Sequence, residues 1–393
     1  MDSGPNRSVH TAGYVSFDNG ATWSEALYAG EYFADDPTVG YDPDGTAYLI
    51  HKSDTGVNTS DGMWTSDFDR LAIHRSRDGG HTWEHIRGPQ ANDRPFLGID
   101  PQSGALYVAQ EQHYHGEEPG HANDNFRHAV RLLCSRDGGN HFEVPAQRLL
   151  MDVTATTANN CVVGGVVLLP NGVVGIVQHH WRSQGTNAGG KSREIAGWLN
   201  FFRSTDAGAS LRPAIKIADI QSPYNDPKSR GVTSAVAAFG NRVNAVWADV
   251  RSGRSQIYEA HSVDGGMTWS APQVVSDDSA RASGGPDDFM PTIAVNRDGV
   301  VGVLWYDRRE NEDNHGYYPR FAASTDGGRT WSPSVRISEK PNSVPASHGQ
   351  FDFAVTGGDT AGLTATPDGH FHAAWIDNRT GVQQVWTAII IVH

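Results

Sequence analysis

Residues 262–269 read Ser-Val-Asp-Gly-Gly-Met-Thr-Trp, and residues 324–331 read Ser-Thr-Asp-Gly-Gly-Arg-Thr-Trp. The same eight-residue phrase, complete or nearly so, stands at 16–23, 76–83, 135–142 and 204–211. Its aspartates are Asp18, Asp78, Asp137, Asp206, Asp264 and Asp326, separated by 60, 59, 69, 58 and 62 residues. So even a period marks a repeat architecture. Each phrase reads as a hairpin turn. The short carboxylate can accept N–H groups of its own loop, the glycines tolerate positive φ, and the aromatic residue opens the next strand. Copy three ends in Phe142 and copy four carries Ala207 and Leu211, so a looser turn is expected at copy four.

Reading outward from Ser324 gives one complete unit. Residues 291–296 alternate as a strand, Asn296-Arg297-Asp298-Gly299 turns the chain, and 300–306 (VVGVLWY) form a second strand. A polar loop follows, then a strand at 319–324, the Asp turn, and a strand at 330–337. Four antiparallel strands per roughly 60 residues make a propeller blade. The fold expected is all-β, a six-bladed β-propeller in one domain over 1–393. Its blades fall at about 37–88, 95–148, 162–217, 231–275, 290–337 and 352–391, the last joined by strands from 10–28. Closure by strands from both termini would remove exposed sheet edges. The segments at 10–16 and 383–391 both suit the third position of that closing blade.

Composition agrees. The chain has 393 residues, 38% hydrophobic and 19% charged, with 44 glycines, 11 tryptophans, 12 tyrosines and 14 phenylalanines. That is globular and biased to strands and turns. The formal net charge of −14, without a Lys/Arg-rich run, argues against nucleic acid as a partner. The apolar stretch 162–177 is broken by Pro170-Asn171-Gly172, so it reads as a hairpin and no membrane span is expected. Cys134 and Cys161 are too few for a disulfide scaffold and are expected as free thiols. Residues 1–10 are polar and lack the apolar core of a signal peptide. The expectation is a monomer, secreted or periplasmic, whose leader is absent from this chain, with a cytoplasmic location left open.

The Asp turns join strands three and four, so they lie at the same end of each blade as the turns between strands one and two. The opposite ends carry the long loops, where sites usually sit on a rigid scaffold. After second strands come His51-Lys52, Glu111-Gln112-His113, His179-His180-Trp181-Arg182, Asp249-Val250-Arg251, Asp307-Arg308-Arg309 and Asp377-Asn378-Arg379. Before first strands come Asp35-Asp36-Pro37, Asp93-Arg94-Pro95, Lys228-Ser229-Arg230 and Asp287-Asp288-Phe289. Trp-x-Asp-x-Arg recurs at Trp247, Trp305 and Trp375, and repeat-equivalent positions of this kind predict inter-blade Asp–Arg bridges. Positions that break the repeat are the better functional candidates: Glu111, His113, His179, His180, Asp93-Arg94 and Arg230.

The phrases SRDGGHTW, SVDGGMTW and STDGGRTW resemble the Asp boxes of bacterial sialidases and their wider BNR-repeat relatives. The resemblance covers most of the chain and implies an exo-acting glycoside hydrolase cleaving terminal anionic sugars of the sialic acid type. It implies an arginine cluster gripping the sugar carboxylate. Arg94 in Arg94-Pro95-Phe96 would come first, with Arg230 and Arg308 or Arg309 completing it in one pocket, and Arg251, Arg379 and Trp181 as further substrate contacts. Asp36 or Asp93 would be the acid, and Glu111 would pair with a tyrosine nucleophile such as Tyr306 or Tyr114. An arginine fork suits a carboxylate, and a neutral tyrosine suits an anionic anomeric centre.

Two other readings stand beside it. A polysaccharide lyase or unusual glycosidase on uronic-acid sugars would use His113, His179 or His180 with a tyrosine, since imidazole suits proton abstraction. A non-catalytic propeller would bind glycan or protein through aromatics such as Trp64, Trp181, Tyr317 and Tyr318. In each glycan reading the partner is a carbohydrate. No cofactor is required. His113, His115, His179 and His180 lack a diagnostic zinc spacing, and Asp35-Asp36 and Asp287-Asp288 offer carboxylates of the kind structural calcium takes without demanding it.

Overall fold

A computed structural model describes residues 10–29, 33–54, 70–91, 93–114, 127–143, 145–150, 158–186, 192–221, 234–282, 285–312, 314–343 and 361–393. The chain pairs into successive antiparallel sheets. β1 (Thr11–Val15) and β2 (Ser24–Ala29) form a two-stranded sheet. Next come β3 (Phe33–Tyr41), β4 (Ala47–Asp54), β5 (Arg70–Ser76) and β6 (Glu84–Gln90), then β7 (Asp93–Ile99), β8 (Leu106–Tyr114), β9 (Arg127–Ser135) and β10 (Ala146–Leu150). The third four-stranded sheet holds β11 (Ala158–Leu169), β12 (Val173–Thr186), β13 (Ser192–Ser204) and β14 (Ile215–Ile220). The fourth holds β15 (Ser234–Phe239), β16 (Arg242–Asp249), β17 (Gln256–Ser262) and β18 (Gln273–Val274). The fifth holds β19 (Asp288–Val295), β20 (Val301–Asp307), β21 (Tyr318–Ser324) and β22 (Val335–Arg336). A three-stranded sheet of β23 (Gly362–Ala365), β24 (Phe371–Asp377) and β25 (Gln384–Ile390) ends the chain. The fold is an all-β six-bladed propeller of mainly four-stranded sheets.

The eight-residue Asp turn at Ser16 pairs β1 with β2, Thr11 against Ala29. β25 takes the third place in the C-terminal sheet, Trp375 facing Trp386. The fourth strand expected over 330–337 shrinks to Val335–Arg336. Ser332 still donates to Ala323 O at 2.8 Å, but Pro333 has no N–H to extend the ladder.

The described chain divides into two compact units. In the first, residues 1–176 with 202–213, Tyr48, Ile50, Leu71, Ile73, Leu106 and Val108 build one core and Tyr107, Val130, Leu132, Val174, Ile176 and Phe202 another. In the second, residues 177–201 with 214–393, Val246, Ile257, Val301, Val303 and Trp305 pack together, as do Phe289, Tyr306, Tyr317, Phe321 and Phe371. Every residue of β20 is buried, which is why VVGVLWY reads as an unbroken apolar run rather than an alternation. Cys134 and Cys161 are buried and form no disulfide.

The Asp turns hold as expected. Asp264 takes the Thr268 amide at 2.9 Å and its hydroxyl at 2.6 Å, and Ser262 Oγ takes the Gly266 amide at 2.8 Å. Trp269 Nε1 closes the loop on Gly266 O at 3.2 Å. Copy four is not looser. Asp206 accepts the Ser210 amide at 2.9 Å and Ser204 the Gly208 amide at 2.9 Å. Ala207 adopts φ +53°, a strain of about 1 kcal/mol that the intact bonds outweigh.

Candidate functional site

Within each complete sheet the Asp turn occupies one end, so the start of the first strand and the end of the second share the other. At that end three first strands carry the same irregularity. Asp35 faces Lys52 and Thr38 faces Ile50, leaving Asp36 and Pro37 against His51. Asp93-Arg94-Pro95-Phe96 bulges likewise against Glu111 and Ala109, and Phe289-Met290-Pro291-Thr292 against Tyr306 and Leu304. The proline cannot donate to the ladder, and two residues then oppose one. The residue before it turns left-handed: φ is +50° at Asp36, +47° at Arg94 and +55° at Met290. Such non-glycine strain costs on the order of 1–3 kcal/mol and clusters at functional positions. Two of the three are sequence candidates, Asp36 and Arg94, both half-buried.

Other first-unit candidates sit nearby in the chain fold. Asp93 and Glu111 are direct ladder partners, and Glu111 is 2% exposed. His113 pairs with His128 in the backbone ladder. A feature the sequence did not flag runs across β4, β5 and β6. His51 Nε2 lies 3.0 Å from His74 Nε2, and His74 stacks on His85 at 4.9 Å.

In the second unit β12 places His179, His180, Trp181 and Arg182 in succession. His179 is buried and stacks on Trp181 at 4.9 Å. Burial, helped by His180, pushes its imidazole down to about 3. His180 stacks on Trp198 of β13 at 4.4 Å, and Arg182 lies over the same indole at 5.4 Å. Burial, then the Arg182 charge, takes His180 down to about 4. Both rings are therefore neutral at pH 7, beside an exposed guanidinium and two half-buried indoles. Trp198 was not among the sequence candidates, because only the pairing of β12 with β13 brings it to His180.

The Trp-x-Asp-x-Arg copies are local clamps. Asp249, Asp307 and Asp377 each accept the indole N–H two residues before and the arginine amide two residues after. Arg251, Arg309 and Arg379 fold back onto these carboxylates. Each also carries a second bond to the end of the preceding sheet: Arg251 to Asp219 O, Arg309 to Asp277 at 2.7 Å, and Arg379 to Ser338 Oγ. The expected inter-blade tie is thus real but secondary to the i, i+2 pair.

Tyr306 is corrected to a packing role. It is 1% exposed, stacked on Tyr317 at 4.1 Å, and edge-on to Phe289 at 5.5 Å. Burial pushes its phenol up to about 12, the opposite of what a nucleophile needs. Arg308 is 1% exposed with its guanidinium over the Phe289 ring at 4.5 Å. Arg230 lies outside the described residues. Among the described residues, Asp278, Asp288 and Asp307 bring carboxylate oxygens within 4.8 Å of one another.

The BNR/Asp-box repeat family matches residues 14–25. Comparison with curated proteins gives no match. Among solved structures, an ulvan lyase, described as a polysaccharide lyase, superposes with a TM-score of 0.57 at 12% identity, over 92% of this chain and 80% of that one. A Dyadobacter fermentans protein of unknown function gives 0.56 at 16%, over 92% and 95%. A leech intramolecular trans-sialidase complexed with 2,7-anhydro-Neu5Ac gives 0.53 at 12%, over 93% and 70%. The chain is a six-bladed propeller that carries a BNR/Asp-box repeat at 14–25, and its likeness to sialidases and ulvan lyase is one of fold.

Proposed function

We propose that this propeller acts on glycans bearing carboxylate sugars, with eliminative cleavage of a uronate polysaccharide as its chemistry. The observation that carries the reading is His180, a neutral imidazole stacked on Trp198 with Arg182 over the same indole. In a lyase a base removes the proton α to the uronate carboxylate, the C4–O bond breaks, the 4-oxygen leaves with its glycan and takes up a proton from an acid or water, and a C4–C5 double bond remains. Arg182 would offset the carboxylate charge as the carbanion develops. Trp198 would give the sugar a face to stack on. An anionic sugar beside His180 would raise the basicity that burial suppresses. The buried, high-pKa phenol of Tyr306 weakens the competing sialidase chemistry at its nucleophile.

The test is to incubate the protein with pectate, alginate, glucuronan and ulvan, following ultraviolet absorbance of unsaturated product, and in parallel with a fluorogenic sialoside. Unsaturated product that falls roughly 100-fold or more in His180→Gln and Arg182→Ala supports the reading. Fluorophore release without unsaturated product overturns it. A sialidase-type hydrolase remains the second reading, favoured by Arg94 at its strained position before Pro95. Sialoside cleavage lost in Arg94→Ala would establish it.

A further inference from the structure

Three carboxylates converge where the fifth complete sheet begins. Asp288 opens β19, Asp307 closes β20 directly opposite it, and Asp278 lies in the segment between β18 and β19. One oxygen from each falls within 4.8 Å of the others. All three side chains are withdrawn from water: Asp288 and Asp307 are 0% exposed, and the Asp278 side chain is 2% exposed. Neither oxygen of Asp288 meets an N–H or O–H donor, and Oδ1 of Asp278 lacks one too. That sets Asp288 apart from Asp249 and Asp377, whose buried carboxylates each accept an indole, an amide and a guanidinium.

Buried charge is costly unless paired and hydrogen-bonded. The cationic partners here are Arg254 on Asp278, Arg309 on Asp307 and Asp277, and Arg320 on Asp307 and Glu310. None of these three guanidinium groups pairs with Asp288. Burial, then the charges of Asp307 and Asp278, holds the Asp288 carboxyl well above the usual carboxylate range. Such a group takes up either a proton or a metal ion. The donors are hard and all oxygen, which favours calcium over metals that prefer imidazole or thiolate.

The geometry points to a calcium site formed by Asp278, Asp288 and Asp307, stapling the start of β19 to the end of β20. The ion would fix the strand that enters the Phe289-Met290-Pro291 bulge. It is independent of the glycan chemistry proposed above.

The test uses the full chain, stripped with EDTA and desalted. Trp305 Nε1 donates to Asp307 Oδ2 at 3.3 Å, so an indole stands beside the site. Terbium bound there should give tryptophan-sensitised emission that saturates at one ion per chain and is displaced by CaCl2. CaCl2 should also raise the Tm of the stripped protein by a few degrees. Asp288→Asn removes the charge at nearly constant shape. It should fold, lose the calcium-dependent rise in Tm, and weaken the terbium signal by roughly tenfold or more. Asp278→Asn serves the same purpose should Asp288→Asn fail to fold. A wild-type protein whose Tm and emission ignore calcium and terbium, or Asn variants that respond as the wild type does, would overturn the site and leave a shared proton in its place.

Discussion

Asp264 grips Thr268 at both ends, taking its amide on one oxygen at 2.9 Å and its hydroxyl on the other at 2.6 Å. The same double grip joins Asp18 to Thr22, Asp78 to Thr82 and Asp326 to Thr330. The bonds run from i to i+4 inside one turn, so each clamp is self-contained. Asp264→Ala should cost about 1–2 kcal/mol and Asp264→Asn less, because the amide keeps one acceptor. Urea midpoints at pH 7 check both. Burial works against the Asp264 charge, yet the Thr268 and Ser262 bonds prevail and bring its carboxyl to about 2. Its contribution is complete above the unfolded carboxylate value and fades as pH falls through about 2, so the turn should persist at pH 3.

Gly266, in the same turn, has φ +85°, and a Cβ there would stand 2.1 Å from Phe201 Cε1. Gly253 has a similar φ of +91° with nothing within 4 Å. The pair separates backbone strain from overpacking. Gly253→Ala should cost about 1 kcal/mol, and Gly266→Ala about 2–4 kcal/mol because Phe201 must also move. Thermal unfolding of the two variants checks the difference.

What the sequence made legible follows from the range of the forces. The Asp turns were readable because the side chains of Ser262, Asp264 and Trp269 bond within their own turn, and β20 because burial on both faces makes its apolar run continuous. The short β22 was readable in principle from Pro333. Tyr306 was not, since its burial depends on Phe289 and Tyr317, which arrive from β19 and a loop. Arg309 and Arg379 were read both as substrate contacts and as bridges, and only the folded geometry shows them closed on Asp307 and Asp377. Asp278 is one of many loop aspartates until β19 and β20 bring Asp288 and Asp307 to it.

His179 makes the stability of the fold sensitive to mild acid. Its folded value, pushed down to about 3 by burial and by His180, lies below the unfolded value of about 6.5. The unfolded chain therefore binds the extra proton. Stability from this group is complete above about pH 6.5 and is lost as pH falls toward 3, roughly 2 kcal/mol of it between pH 6 and 4.5. Asp288, held high by burial and its acidic neighbours, contributes with the opposite sign. The difference between wild type and His179→Gln isolates the histidine. Urea unfolding at pH 4.5, 5.2 and 6 should give a slope about 1 kcal/mol per pH unit shallower in the variant. Parallel slopes would mean that His179 is not buried as a neutral ring.

Tyr306 decides between two chemistries. Its hydroxyl accepts a long bond, 3.5 Å, from the Ile376 amide and meets the Tyr317 hydroxyl, and its ring carries the packing against Phe289 and Tyr317. Tyr306→Phe keeps the ring and loses the oxygen, so it should cost no more than about 1 kcal/mol of stability. It should leave the rate on any glycan substrate within about threefold of wild type, because a phenol raised to about 12 and sealed from solvent supplies no nucleophile. Tyr306→Ala should instead unfold more readily by about 3–5 kcal/mol through the cavity it leaves. The two measurements needed are kcat on the substrate identified by product analysis and the denaturation midpoint. A fall of several thousandfold in Tyr306→Phe with its midpoint intact would restore the tyrosine as the attacking group and, with it, the sialidase mechanism.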